Sequence, residues 1–354
     1  MGLLLPNIRT LLQSYLDSPD LPSSGSLLSH LESAIAVLEG ESPSYRPPDA
    51  EKRPGGLLDF LSEQADKLPL LIVPDLHGRG NFLMDILDFS VGGEKVLSLL
   101  EKGKIYLVCV GDIFHSENRG KSRWKRAFEE CMKGNLVNDF LREEMKENLS
   151  LLEMVLSLKS AFAGHFHVLK GNHENVMNEN QRAMYGNVPF RKFCDEGNMV
   201  ADFIRHFYDD LILHEISCFE KTLPVCAVFR NCVISHAEPA DFFTREEIIN
   251  YHALGSYVTF ALTWTANDGA REGSVAYLAR ELLAAPASGK PFYFTGHRPV
   301  LGSYALRQGG DLVQIHNPEI EQVALLLPNQ NFDPERDIID IKTVRKTQLL
   351  NSLL

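Results

Sequence analysis

The stretch from Leu70 to Gly78, which reads LLIVPDLHG, constrains this chain more than any other. It begins with an apolar run of strand length, and short apolar runs bounded by Gly or Pro are typical of buried strands. Asp75 and His77 follow two residues apart, so an extended backbone points both side chains to the same side. In open α/β sheets, ligands bind beyond the carboxyl ends of the strands. The stretch therefore predicts a strand end at which two side chains can hold one ion.

Four further apolar runs end in polar side chains of the same kinds. In chain order they deliver Asp112, then Asn172 and His173, then His236, and finally His297. Carboxylate, amide and imidazole donors suit divalent metals such as manganese, iron or zinc. The set of Asp75, His77, Asp112, Asn172, His236 and His297 is too large for one ion with an open position. It suits two ions about 3.5–4 Å apart that share one carboxylate, for which Asp112 is the natural bridge.

The segments around these motifs predict an α/β fold with extensions at both ends. Residues 1–40 carry a helical period, residues 41–56 form a Pro/Gly-rich linker, and residues 57–67 are predicted as a short amphipathic helix. Strands and helices then alternate, and the later strands are predicted at 226–229, 232–235, 292–294, 312–315 and 323–326. We expect a helical N-terminal extension over residues 1–64, the site-bearing domain over 65–328 and a C-terminal tail over 329–354.

Composition narrows the classes of partner. The chain has 354 residues and a net charge of −12, which argues against a nucleic-acid binder because such a protein needs a basic face. No apolar run has the length needed to span a bilayer, and the N-terminus lacks the features of a signal peptide. The six cysteines are scattered and form no C-x-x-C pair, as expected of reduced thiols in the cytoplasm. We therefore expect a cytoplasmic protein without nucleic-acid or membrane partners, and the oligomeric state is left open.

The order of the motifs resembles that of the calcineurin-like metallophosphoesterases. It runs D-x-H-G, G-D, G-N-H-E, a strand-end His and G-H between residues 70 and 327. The approach to His236 over residues 219–236, and the GHRPV of residues 296–300, are similar to the phosphoprotein-phosphatase branch. The resemblance implies a four-layer α/β/β/α sandwich of two mixed sheets. It also implies a Ser/Thr phosphatase-like enzyme that hydrolyses phosphate monoesters by attack of a hydroxide bridging two metals.

The resemblance also implies roles for individual residues. The first metal would be held by Asp75, His77, Asp112 and His297, and the second by Asp112, Asn172 and His236, with one more ligand from another late His in some members of the family. His173 would be the general acid that protonates the leaving oxygen, a role that suits an imidazole with a pKa near neutrality. The expected cofactors are two divalent metal ions; manganese is the favoured metal, and iron and zinc are the alternatives.

One motif departs from the family pattern. The family reads G-D-x-x-D-R-G, whereas residues 111–120 lack the second Asp, which in the family orients the catalytic His. Glu117 is the favoured substitute and His115 the alternative, because a carboxylate can hold the tautomer of an imidazole. The phosphate group is predicted to be bound by arginines, since the guanidinium fork matches its oxygens; the candidates are Arg79, Arg119, Arg271 and Arg298.

Two other functions are compatible with the motifs. A dinucleoside polyphosphate hydrolase of the diadenosine-tetraphosphate type shares them. A metal-binding scaffold without catalysis is of another class, and the Asn172–His173 pair argues against it because a scaffold needs no acid. The expected partner is a phosphorylated protein or a phosphorylated small molecule.

Overall fold

The computed structural model describes residues 7–62, 64–179, 189–283 and 290–344. The strands are β1 Leu57–Phe60, β2 Leu70–Val73, β3 Ser90–Val91, β4 Glu94–Lys95, β5 Tyr106–Cys109, β6 Phe166–Val168, β7 Cys226–Phe229, β8 Cys232–Ser235, β9 Phe292–Thr295, β10 Ala305–Arg307, β11 Leu312–Gln314, β12 Gln322–Leu326 and β13 Ile338–Asp340. The helices are α1 Ile8–Asp17, α2 Ser24–Glu39, α3 Gly80–Asp88, α4 Val96–Glu101, α5 Lys121–Cys131, α6 Asp139–Ala161, α7 Glu196–Phe207, α8 Asp210–Thr222, α9 Arg245–Ile249, α10 Ser256–Thr263, α11 Ser274–Leu282 and α12 Pro334–Asp337.

Two mixed sheets pack face to face, and helices cover both outer surfaces, so the predicted four-layer arrangement is confirmed. The five-stranded sheet has the order β13-β12-β2-β5-β6, in which β2, β5 and β6 run parallel. The six-stranded sheet has the order β1-β7-β8-β9-β11-β10, in which β8, β9 and β11 run parallel. Because parallel neighbours end at the same edge, each sheet collects the residues after its strands in one place.

The sequence of β2 explains why the strands are apolar on both faces. Leu70 and Ile72 belong to the core between the two sheets, whereas Leu71 and Val73 pack towards the helices of the outer layer. Successive side chains of a strand point to opposite faces, so a strand between two packed layers needs an unbroken apolar run. The strands predicted from the later apolar runs, between residues 226 and 326, are also present.

The helix predicted over residues 57–67 is wrong. Leu57–Phe60 is instead a strand that pairs in parallel with Cys226–Phe229, and a short 3₁₀ turn follows at Ala65–Lys67. The physical reason is burial on both faces: Leu58 contributes to the core between the sheets and Leu57 to the core beneath the outer helices. A short apolar run such as residues 57–60 is compatible with either a helix or a strand, and here burial on both faces favours the strand. The division of the chain at residue 65 remains a prediction.

Residues 41–56, predicted as a linker, are packed onto the domain by a buried ion network. The carboxylate of Glu41 lies 2.5 Å from Arg46 and 2.5 Å from Lys159 of α6, and all three side chains are buried. Burial alone would raise the pKa of Glu41, but a hydrogen bond from His167 and the charges of Lys159 and Arg46 outweigh it, so the pKa is lowered. The network ties the N-terminal segment to the helical layer.

The predicted tail begins inside the fold. β13 pairs antiparallel with β12 and so extends the five-stranded sheet, while residues 345–354 lie outside the described part. Within the described ranges, no helix has both the length and the apolar character required to traverse a bilayer.

We expect Arg46→Ala to lower the free energy of unfolding by about 3–5 kcal/mol, because removing one partner of a buried ion pair leaves uncompensated charge. The matched control is Arg205→Ala, whose guanidinium is 40% exposed and pairs with Asp202 and Asp210 at the surface. The control should lose less than about 1 kcal/mol in denaturant titrations.

Since the folded-state pKa of Glu41 is lowered, the network stabilises the protein above the ordinary pKa of a glutamic acid and weakens as the pH falls below it. The difference between Arg46→Ala and the natural protein should therefore shrink in acid. Similar small losses in Arg46→Ala and Arg205→Ala at neutral pH would contradict this account.

Candidate metal centre

Neighbouring strands of the two sheets bring the predicted ligands together. β2 is followed by Asp75, β5 by Asp112 and β6 by Asn172, and all three side chains are buried. In the other sheet, His236 follows β8 and His297 follows β9. Within each sheet these residues follow parallel neighbouring strands, so they lie at the same edge of that sheet. The rings of His236 and His297 both contact the side chain of Asn172, so the two edges are next to each other.

The ring orientations of His77 and His236 suit metal binding. The Nδ1–H of His77 donates to the carbonyl oxygen of Phe114 at 3.1 Å, and that of His236 donates to Val110 at 3.1 Å. Because a carbonyl oxygen only accepts, Nδ1 carries the proton and Nε2 has a bare lone pair. The two Nε2 atoms lie 3.6 and 3.4 Å from the same oxygen, Oδ2 of Asp112. When Asp112 is ionised, these acceptors face one another without a proton between them, an arrangement that fits a bound cation.

His316 is a further candidate ligand that the sequence analysis did not name, and it lies on the side of Asp75, whereas the additional late His was expected at the second metal. It lies in the connection from β11 of one sheet to β12 of the other, and β12 pairs with β2, the strand before Asp75. Its Nε2–H donates to Glu117 at 3.1 Å, while its buried Nδ1 has no hydrogen-bond partner among the described residues and faces Oδ2 of Asp75 at 3.7 Å. An apolar strand followed by His at residues 312–316 repeats the pattern of residues 232–236 and could have identified it.

His297 lies with a different group from the one predicted. Its Nδ1 is 2.8 Å from Oδ1 of Asn172, and its ring centre is 5.1 Å from that of His236. The reason is strand order: β9 lies beside β8, so His297 emerges next to His236. The site then has two sides that meet at Asp112, the first formed by Asp75, His77 and His316 and the second by Asn172, His236 and His297.

The electrostatics of the site favour a cation. Burial, followed by the charges of Asp75 and Glu174, raises the pKa of Asp112 well above its ordinary value. Burial lowers the pKa of His77 to about 3 and also lowers that of His236, so both rings are neutral, the form that binds metals. Crowded carboxylates beside neutral imidazoles form an environment that a divalent ion would relieve. The residues present therefore fit a metal centre.

Backbone strain is concentrated at the same edge. Positive φ angles between 45° and 77° occur at His77, Asp112, His115, Glu117 and His297. This region is uncommon for residues other than glycine. Strained residues persist where surrounding contacts hold them, and they cluster at functional sites.

Glu174, the last residue of the G-N-H-E motif, joins two of the ligand loops. Its carboxylate accepts hydrogen bonds from the backbone N–H groups of Asp112 at 2.9 Å, Ile113 at 2.7 Å and Gly171 at 2.7 Å. Gly171 is required at this crossing because a Cβ there would collide with the carboxylate of Asp112. Glu174 is thus a positioning residue to which the sequence analysis gave no role.

His173 lies beside the candidate ligands. Its backbone N–H donates to Oδ1 of Asp112 at 2.9 Å, and its Nε2 lies 3.9 Å from Oδ2 of the same carboxylate. The rings of Phe190 and His115 pack against it, with centres 4.0 and 5.0 Å away. Burial, then His115 and His77, lower the pKa of His173 well below its ordinary value.

Glu117, predicted to orient His173, contacts other groups. Its carboxylate accepts hydrogen bonds from His316 at 3.1 Å and from the ammonium of Lys192 at 3.0 Å. In the described part of the chain no hydrogen bond joins Glu117 to His173. The backbone N–H of Glu117 donates to Nδ1 of His115 at 3.0 Å, and it is the ring of His115, the alternative candidate, that lies against His173.

The four arginines predicted to bind phosphate differ in their surroundings. Arg79 donates to three backbone carbonyl groups, while Arg119 and Arg271 each pair with an acidic side chain. Arg298 follows His297, is exposed, and its side chain has no hydrogen bond or ion pair with any residue that the structure describes. Of the four arginines, Arg298 is therefore the one whose side chain has no partner among the described residues.

Comparison with solved structures and curated proteins adds the following. A protein serine/threonine phosphatase from Saccharomyces cerevisiae, with similarity to human phosphatase PP5, aligns with a TM-score of 0.57 at 14% identity over 94% of this chain and 94% of that one. A cold-active protein-tyrosine phosphatase of a psychrophile, Shewanella sp., aligns with a TM-score of 0.38 at 14% identity over 76% of this chain and 81% of that one. The search of curated proteins by sequence returns no match. At such low identity the first alignment establishes the fold alone.

The family model described as calcineurin-like phosphoesterase matches residues 68–320. That range is more than half of the chain, and it includes every candidate ligand from Asp75 to His316. The chain therefore belongs to the calcineurin-like phosphoesterase family, and it is an enzyme that hydrolyses phosphate esters.

Proposed function

We propose that the protein is a phosphomonoesterase that uses two divalent ions, with manganese as the favoured metal, and that Asp112 would be a ligand shared by both ions. The observation that supports this most directly is that lone pairs of His77 and His236 approach one oxygen of Asp112 from the two sides of the site. A single carboxylate between two donor sets is typical of bridged metal pairs. The donors are oxygen and imidazole without thiolate, which suits manganese, iron or zinc.

Two such ions would supply a more acidic water molecule and charge neutralisation for the phosphoryl oxygens. The protein contributes ligands that need little rearrangement. Backbone carbonyls hold the rings of His77 and His236, and Glu117 holds that of His316. Such partners fix the tautomer of each ring and aim its free nitrogen into the site.

His173 would protonate the leaving oxygen. It lies at the Asp112 carboxylate, and the rings of Phe190 and His115 limit its rotation. In the free protein its lowered pKa keeps the ring neutral. A phosphate dianion in the site would favour the protonated form, because a nearby opposite charge stabilises a cation. Proton donation would thus be available when substrate is bound.

Arg298 is the best candidate to bind the phosphate group, since its guanidinium has no partner among the described residues and the residue directly follows His297 in the sequence. The resemblance predicts phosphoserine and phosphothreonine in proteins, or small phosphate esters, as substrates. The direct test is hydrolysis of an aryl phosphate, a phosphopeptide and a dinucleoside polyphosphate, each with manganese. Turnover of the monoesters supports the proposal, whereas turnover of the dinucleotide alone, or of none with any divalent metal, would overturn it.

Asp112→Asn should lose metal at both positions, because the carboxylate of Asp112 would serve as a ligand to both ions. Elemental analysis should find two ions in the natural protein and a fraction of that number in the variant, with the circular dichroism unchanged. The control Asp241→Asn, which pairs with Arg271 at the surface, should retain both ions. Two ions per chain in Asp112→Asn would refute the shared carboxylate.

His316→Gln should lose about one ion per chain, because His316 belongs to the first side of the site alone. The matched control is His165→Gln, a half-buried ring that stacks on Tyr106 away from the ligands. Unchanged metal content in His316→Gln would show that its free Nδ1 serves some other purpose.

His173→Asn should lower kcat on alkyl phosphates such as phosphoserine by about 10²–10⁴-fold, the usual contribution of a general acid. Metal content should be unchanged. The loss should be much smaller on an aryl phosphate with a good leaving group, which needs little protonation. Equal losses on both substrates would rule out proton donation by His173.

A further inference from the structure

Most candidate ligands of the metal centre are closed off from solvent by the residues that the structure describes. Asp75, His236 and His316 have no exposed surface, and Asp112 is 1% exposed. His173 and His297 are partly exposed, as are Phe190 and Trp264, the two aromatic residues beside them. In the described part of the chain, the exposed approach to the centre therefore lies along the side that these aromatic rings border.

Phe190 and Trp264 form a continuous aromatic wall between His173 and His297. The ring of Phe190 lies 4.0 Å from that of His173 at an interplanar angle of 61°. Trp264 lies 6.0 Å from Phe190 at 40°, and 6.5 Å from His297 at 75°. These spacings and tilts are those of interacting aromatic pairs. The wall thus joins the proposed acid on one side to a candidate metal ligand on the other.

Neighbouring contacts hold both rings of the wall. Phe190 also packs edge-on against His115 at 5.1 Å, and its carbonyl accepts the backbone N–H of Gly197 at 3.0 Å. Trp264 follows the last residue of α10, and its ring stacks on that of Phe260, one helical turn earlier. The ring centres are 6.5 Å apart and the interplanar angle is 16°. Held rings lose little freedom on binding, so they can favour a matching group at low cost.

The position of the acid fixes what the wall must contact. If His173 protonates the ester oxygen, as in the proposed function on which this inference rests, the organic group on that oxygen lies beside Phe190. In phosphoserine and phosphothreonine the attached atom is an aliphatic carbon. In phosphotyrosine the ester oxygen is bonded directly to an aromatic ring. The base of a nucleotide is separated from its phosphate by a sugar, so it cannot take this position.

We propose that the Phe190–Trp264 wall selects aryl phosphate monoesters, with phosphotyrosine as the protein-borne substrate. The tyrosyl ring packs against Phe190 and Trp264 while its phosphate occupies the metal centre. In the reaction the oxygen of water forms a bond to phosphorus and releases one proton to solvent, as the bond from phosphorus to the phenolic oxygen breaks. The phenolic oxygen keeps the electron pair and takes a proton from His173 or from solvent.

The test compares kcat/KM for a phosphotyrosine peptide and a phosphoserine peptide of otherwise identical sequence, with manganese. Trp264→Leu keeps apolar bulk and removes the aromatic face. It should lower kcat/KM on the phosphotyrosine peptide by about tenfold, the effect of an aromatic pair, and on the phosphoserine peptide by about twofold or less. Phe140→Leu, at a half-buried aromatic residue on α6, is the matched control and should change neither.

Equal losses on the two peptides, or no loss on the phosphotyrosine peptide, would overturn the inference while leaving the phosphomonoesterase proposal intact. A selective loss on a nucleoside monophosphate instead would show that the wall contacts a base, and this would also overturn the inference.

If the natural protein hydrolyses no ester, the proposed function fails, and the aromatic subsite is then tested by ligand binding. Phenylphosphonate should then change the fluorescence of Trp264 and methylphosphonate should not; Trp124, the other tryptophan, is fully buried. Equal responses to the two phosphonates would refute the aromatic subsite.

Discussion

The carboxylate of Asp112 is the group on which the rest of the site depends. It is buried, its pKa is raised, and lone pairs of His77 and His236 point at one of its oxygens. Without a cation, this arrangement would leave buried acceptors facing one another, which costs free energy. Much of the surrounding structure holds the arrangement in place. Glu174 fixes the loop of Asp112, and positive φ angles persist at the ligand positions.

The fold gives this arrangement its geometry because two sheets contribute to one site. The oxygen donors come from the five-stranded sheet and two imidazoles come from the six-stranded sheet. The core between the sheets sets the separation of the two edges. His316, in the connection that crosses from one sheet to the other, adds an imidazole to the side of Asp75. A centre built across two packed sheets is rigid, since interiors pack densely and move little.

Much of the fold, and the proximity of most candidate ligands, could be predicted from the sequence, because buried strands have an unbroken apolar run and polar residues that follow parallel strands share an edge. The grouping of His297 could not, since it depends on β9 lying beside β8. The strand at residues 57–60 was missed because a short apolar run fits either a helix or a strand. The surroundings of Arg79 and the partners of Glu117 depend on tertiary contacts that no local pattern encodes.

The most direct measurement is anomalous X-ray diffraction from crystals grown with manganese. Two anomalous peaks about 3.5–4 Å apart are expected, one on each side of the Asp112 carboxylate. The peak on the first side should lie near Asp75, His77 and His316, and the other near Asn172, His236 and His297. A single peak, or manganese bound away from Asp112, would contradict the shared-carboxylate centre.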